Sequence, residues 1–164
     1  MESTSNQLAA RDKLLYDKCL SALQTNDRSL AALYAGECSE LRKIAKITMH
    51  SQLALERIVL RLETVEEFGD IAYLMAPVRG IVSKVKTQLE GVLPEISLQL
   101  GEVDESLQSI VGEIGEATEA ASETDALSEE ARKILAEANM VAEQRMKDRF
   151  PEIPAIPTHE ARIQ

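Results

Sequence analysis

The chain has 164 residues, 45% of them apolar, yet aromatics make up only 3% and Trp is absent. A core without large rings must come from Leu, Ile, Val, Ala and Met, which suits interlocking helices and argues against a β-sandwich. The net charge of −10 argues against a nucleic-acid partner, because phosphate contacts need a surplus of Lys and Arg. That charge is segregated: residues 1–60 sum to +1, 61–89 to 0, 90–130 to −12 with no base at all, and 131–164 to +1. The first residues lack the basic start and apolar core of a signal peptide. The longest nearly apolar run, Ile71 to Val78, is too short to span a bilayer. Cys19 and Cys38 form neither a disulfide framework nor a zinc spacing, and are expected to pack as small hydrophobes. The composition predicts a cytoplasmic, all-α chain.

In chain order, residues 7–24 read as a helix, with Leu8, Leu15, Cys19 and Ala22 on one stripe. Thr25-Asn26-Asp27-Arg28-Ser29 collects turn and N-cap residues. From Leu30 a second, much longer helical pattern follows, with a seam of Tyr34, Leu41, Thr48, Leu55 and Leu62 interleaved with Ile44, Ile58 and Val65. Two such helices and a short turn near 25–29 predict an antiparallel hairpin. At about 100° per residue, Arg28, Arg42, Lys43, Lys46, Arg57 and Arg61 fall on one stripe, with His50 among them, nearly opposite the seam. Such a stripe is either a solvated face or a contact line for anionic lipid or an acidic protein segment.

Glu63, Glu66, Glu67 and Asp70 share one helix side. No Glu-x-x-His accompanies them, so they read as a solvated acidic patch and not a metal site. Glycines at 69, 80, 91, 101 and 112, with Pro77 and Pro94 between them, suggest helical pieces joined by hinges. A continuous helix would instead align these glycines and admit a close neighbour. Residues 112–128 are small, polar and acidic and read as a flexible linker. Ser128 is positioned as N-cap of a helix over 129–149, which ends at Phe150-Pro151. Beyond it, Pro151, Pro154 and Pro157 recur every third residue, the period of polyproline II. Phe150, Ile153 and Ile156 are then apolar anchors with nothing local to bury them, the form of segment that peptide-recognition grooves bind. The plainer alternative is a tail that only terminates the last helix. No glycine-rich phosphate loop, nucleophile elbow or Cys/His cluster is present. No catalytic activity, metal or cofactor is expected.

Several stretches resemble the archaeal ESCRT-III family, the CdvB-type cell-division proteins. They are Ala45 to Asp70, notably Leu53-Ala-Leu-Glu-Arg57 and Leu60-Arg-Leu-Glu-Thr64, then Glu67-Phe-Gly-Asp70, Ala76-Pro-Val78, Gly91-Val-Leu-Pro-Glu-Ile96, Lys133-Ile-Leu135, Ala142-Glu-Gln-Arg-Met-Lys147 and Phe150-Pro151. The resemblance implies a long antiparallel helical hairpin with a jointed helical extension, which polymerises with itself or with paralogues on anionic membranes. Such filaments act at the membrane or division neck in cell division or vesicle scission. An AAA+ ATPase of the CdvC type remodels them through its MIT domain. The family's proline-rich MIT-interacting motif maps onto Phe150, Pro151, Ile153, Pro154, Ile156 and Pro157. By the same resemblance the basic hairpin faces lipid, and the acidic C-terminal region can fold back to hold subunits soluble. The implied organisation is a helical core over 1–111, a linker over 112–128, a helix over 129–149 and the motif over 150–158. The first helix is shorter than the family's, and the chain reads as a paralogue without the winged-helix extension of some members. Taken from the residues alone, the alternative is a soluble helical adaptor with a proline-rich docking tail.

Overall fold

A computed structural model describes residues 1–64, 71–114 and 128–157. Among them the protein forms five α-helices and no strand: α1 Glu2–Gln24, α2 Arg28–Thr64, α3 Ile71–Leu89, α4 Pro94–Ile114 and α5 Glu129–Arg149. The chain divides into two compact units, one of Met1–Thr48 with the chain from Glu143 onward, the other of Met49–Ala142.

In the first unit α1 and the start of α2 pair antiparallel: Cys19 Sγ reaches the Ala31 carbonyl at 3.5 Å, while Asp12 lies against Cys38 and Arg42. The reversal is built from the turn residues themselves. Asn26 takes a left-handed φ of 59°, which Asn tolerates better than most residues. The Asp27 amide then donates to the Ala22 carbonyl at 2.9 Å and the Asn26 amide to the Leu23 carbonyl at 3.2 Å. This is the Schellman arrangement that satisfies the last carbonyls of a helix. Asp27 next serves as N-cap of α2, its Oδ1 accepting from the Leu30 amide at 3.1 Å. The core here is small: Cys19, Ala22, Ala31, Cys38 and Ala45 are buried with Leu41. Both cysteines are free. Helix α1 begins at Glu2, five residues before the periodic signal at residue 7.

In the second unit α3 and α4 form a hairpin of their own. Val78, Ile81, Val82, Val85 and Leu89 of α3 bury one face, at helical spacing, against Leu100 and Leu107 of α4. The turn is fixed by the Leu93 amide on the Leu89 carbonyl at 2.8 Å and by Ser97 Oγ on the Lys86 carbonyl at 3.0 Å. Pro94 opens α4, a position where its missing N–H would have had no partner.

The expected series of hinges is largely overturned. Pro77 and Gly80 lie inside α3, and Gly101 and Gly112 inside α4. Only the Gly91–Pro94 stretch is a break among the described residues, and Gly69 lies outside them. Gly costs a helix about 1 kcal/mol, whereas burying a side chain such as Ile81 or Val85 returns about 1.5–3 kcal/mol, so packing outweighs propensity. Helix α5 is capped by Ser128, whose Oγ accepts from the Ala131 amide at 3.2 Å. It presents Ala131, Ile134, Ala138 and Ala142 as its buried residues. Of the acidic quartet only Glu63 is described; Glu66, Glu67, Asp70 and His159 lie outside the described residues, as do 115–127 of the expected linker.

Candidate functional site

Five of the six cations expected on the α2 stripe form ion pairs, each within its own unit. In the first unit Arg42 makes a bidentate pair with Asp12, Nε to Oδ1 at 2.8 Å and Nη2 to Oδ2 at 3.1 Å. The Arg42 side chain is only 14% exposed and that of Asp12 3%. Arg42 is therefore not on a solvated face opposite the packed seam, and the expected geometry is corrected at this residue. Its Nη1 also donates to the Pro151 carbonyl at 2.5 Å, and its guanidinium carbon lies 5.4 Å from the centre of the Phe150 ring. Lys46 pairs with Glu143 at 3.1 Å, both half-exposed. Lys43, 66% exposed, pairs only with its neighbour Glu40, at 2.7 Å. Arg28 is half-buried at the start of α2. Burial, seconded by the Asp12 carboxylate, pushes the Cys38 thiol above its ordinary value; the Arg42 charge opposes the shift without cancelling it.

In the second unit Arg57 pairs with Glu137 and Arg61 with Glu130. Two helical turns before Arg57, His50 Nε2 meets the Leu135 carbonyl at 3.1 Å. The acids that meet Lys46, Arg57 and Arg61 thus all come from α5. Of the acidic 90–130 stretch, Glu130 at the start of α5 meets the stripe at Arg61, whereas Asp104 of α4 lies 3.7 Å from Arg79 of α3. Of the site residues expected along α2, Lys46, Arg57 and Arg61 are brought onto α5 within each unit and Arg42 onto α1 and the tail, whereas Lys43 pairs within α2 and Arg28 is not brought to α5.

The tail is placed against the first unit. Phe150 is 8% exposed. Ile156 packs on the buried cluster of Cys19, Ala22 and Ala31, beside Leu23, Tyr34 and Ala35. Ile153 and Pro154 are half-buried, while Pro151 and Pro157 are exposed. The anchors read as having nothing local to bury them are covered by residues more than a hundred positions earlier in the chain.

Two curated relatives from Sulfolobus acidocaldarius align along nearly the whole chain. One, Cell division protein B1, is 48% identical over 149 residues, 91% of this chain and 70% of the relative. The chain belongs to the CdvB-type cell-division family. The other, Cell division protein B, is 32% identical over 158 residues, 96% of this chain but only 60% of the relative's length. No protein-family model matches the chain, and no solved structure does either.

Two contributors to the site of this CdvB-type chain escape the reading of its cations alone. Asp12 follows Leu8 by four residues and precedes Leu15 by three, so it stands on the apolar stripe of α1. An acid there signals a buried partner. Arg149 reaches Ser5 Oγ at 3.1 Å and Asn6 Oδ1 at 2.7 Å, tying the end of α5 to α1. No local pattern announces that contact. Among the described residues, no helix is long and apolar enough to cross a membrane.

Proposed function

We propose that this chain is a filament subunit of the ESCRT-III type that remodels membrane in archaeal cell division. It assembles with itself or with paralogues on an anionic membrane surface, and recruits an AAA+ ATPase of the CdvC type through Phe150, Pro151, Ile153, Pro154, Ile156 and Pro157. Membership of the CdvB-type family supports the division role. The observation that carries the membrane role is the way α5 covers the cations of α2. Lys46, Arg57 and Arg61 each meet a carboxylate of α5, and the paired side chains are between 35% and 51% exposed.

Half-exposed ion pairs are worth about 0–1 kcal/mol each and are screened by salt. Three of the four buried residues that α5 contributes are alanines, so its apolar hold is modest as well. A phosphate-bearing surface that meets many copies of the stripe at once gains by avidity what each copy lacks alone, and displaces such a cover.

The test is sedimentation with liposomes carrying anionic phospholipid, at low and high salt. Pelleting is expected at low salt, to be lost at high salt, to rise when Glu130, Glu137 and Glu143 are changed together to Gln, and to fall in the Arg57→Gln/Arg61→Gln double variant. Absence of salt-sensitive pelleting in all of these overturns the membrane role and leaves a soluble helical adaptor.

A further inference from the structure

Helix α5 spends its carboxylates inward. Glu130, Glu137 and Glu143 meet cations of α2, on the side where Ala131, Ile134, Ala138 and Ala142 are buried. The opposite side carries Lys133, Met140 and Lys147 at intervals of two helical turns, which places them on one line. All three are exposed, Met140 at 69%. Among the described residues neither lysine has a carboxylate partner.

Helix α4 shows the reverse charge around a similar centre. Ser97, Leu100 and Leu107 are its buried residues. The side turned away from them carries Glu95, Leu98, Glu102 and Glu105, at helical spacings of three, four and three. All four are exposed, and Leu98 at 73% is the most exposed large apolar side chain of the described residues, with Met140 next. None of the three carboxylates has a cationic partner among the described residues.

We propose that the outward face of α5 docks on the outward face of α4 of a second copy of this chain, while α5 keeps its own carboxylates on α2. Set antiparallel, the two helices oppose their dipoles. Met140 placed on Leu98 then brings Lys133 across from Glu105, each about 10.5 Å from its apolar centre. Lys147 falls on the side of Glu95. A membrane does not satisfy both faces, because anionic lipid would repel the carboxylates of α4. A second copy satisfies both at once. The two faces differ, so the contact is heterologous, and each copy that makes it still offers one free face of each kind along a growing row. The inference rests on the assembly reading above for its purpose, and names a contact available to the subunit while its α2 cations are still covered.

The experiment is sedimentation velocity of the full chain without lipid, at low and high salt. Association that grows with concentration is expected at low salt and should weaken as salt is raised. Met140→Glu and Leu98→Glu should each weaken it about tenfold or more, since each removes one buried apolar anchor and adds a charge. Mixed together, these two variants retain one intact face each and should form a one-to-one pair that grows no further. Lys133→Glu should weaken association, and Lys133→Glu/Glu105→Lys should restore it. A parent chain that stays monomeric at low salt overturns the contact. Association unchanged in Met140→Glu and Leu98→Glu, a mixture that grows beyond a pair, or a double variant without rescue overturns the assignment of these faces. A parent that associates through these residues but does not pellet with anionic liposomes overturns the membrane reading and leaves this contact standing.

Discussion

Arg42 and Arg57 stand on the same helix and read as members of one stripe, yet their surroundings assign them different work. Arg42 is 14% exposed and bound by two hydrogen bonds to a carboxylate that is 3% exposed, with an aromatic ring and a carbonyl completing its shell. Arg57 is 44% exposed and meets a single half-exposed carboxylate of α5. Burial decides how much a charge costs when its partner is removed. The first pair holds the hairpin to the tail, whereas the second is a contact that salt or a competing anion can replace.

The largest expected effect breaks the first pair. Asp12→Ala leaves the Arg42 guanidinium largely buried and without its carboxylate, and removing one partner of a buried pair costs about 3–5 kcal/mol. Chemical denaturation should show that loss. The Asp12→Ala/Arg42→Ala double variant should recover part of it, since neither charge is then stranded. A double variant as unstable as the sum of its singles would mean that the two residues act independently.

The same change in the second pair should be felt far less. Glu137→Gln or Glu130→Gln should each cost less than about 1 kcal/mol, a difference that shrinks further as salt is raised. Their larger signature belongs to liposome pelleting, which should increase because Arg57 loses the Glu137 carboxylate of α5 and Arg61 that of Glu130. If Glu137→Gln destabilises the chain as strongly as Asp12→Ala, the distinction between a structural and a releasable cation fails.

The residues that separate these two cases were only partly legible in the sequence. Angular arithmetic finds the stripe because 3.6-residue periodicity is local, and the same logic locates α5 through Ser128 and the apolar spacing of Ala131, Ile134 and Ala138. The partner of each cation is a long-range fact. Phe150 and Ile156 find their cover at Arg42 and Ala31, and no periodicity within the tail points there. Asp12 was the exception, an acid on an apolar stripe whose position alone asks for a buried cation. The glycines misled for an opposite reason. Propensity at Gly80, Gly101 and Pro77 is a local cost of a few kcal/mol at most, and it is outweighed by the apolar face that α3 buries against α4, a gain no single position displays.

A subtler probe of the first region is pH. Burial raises the Cys38 thiol above its ordinary value of 9.0, so the folded chain retains this proton where the unfolded chain begins to lose it. Stability from this source is full below the ordinary thiol value and is lost as pH rises through and beyond it. Denaturation midpoints should therefore decline on the alkaline side of pH 9, and Cys38→Ala should flatten that decline. An identical alkaline slope in parent and variant would assign the loss to other groups.

The smallest effect belongs to the stripe member that faces away from both partners. Lys43 is 66% exposed and its ion pair is with Glu40 on its own helix, three residues earlier. Such a pair is worth a few tenths of a kcal/mol at most, so Lys43→Gln should leave the denaturation midpoint unchanged within error. Because its ammonium pairs within its own helix, the substitution also leaves the cover supplied by α5 in place. Liposome pelleting should then drop at low salt only by what one cation contributes to a surface contact, a difference that vanishes as salt is raised. A loss of stability approaching that of Asp12→Ala would place Lys43 in the packed interior and put the helix phase assigned to α2 in error. A loss of pelleting with no loss of stability is the pattern that separates a cation held for an external surface from one held for the fold.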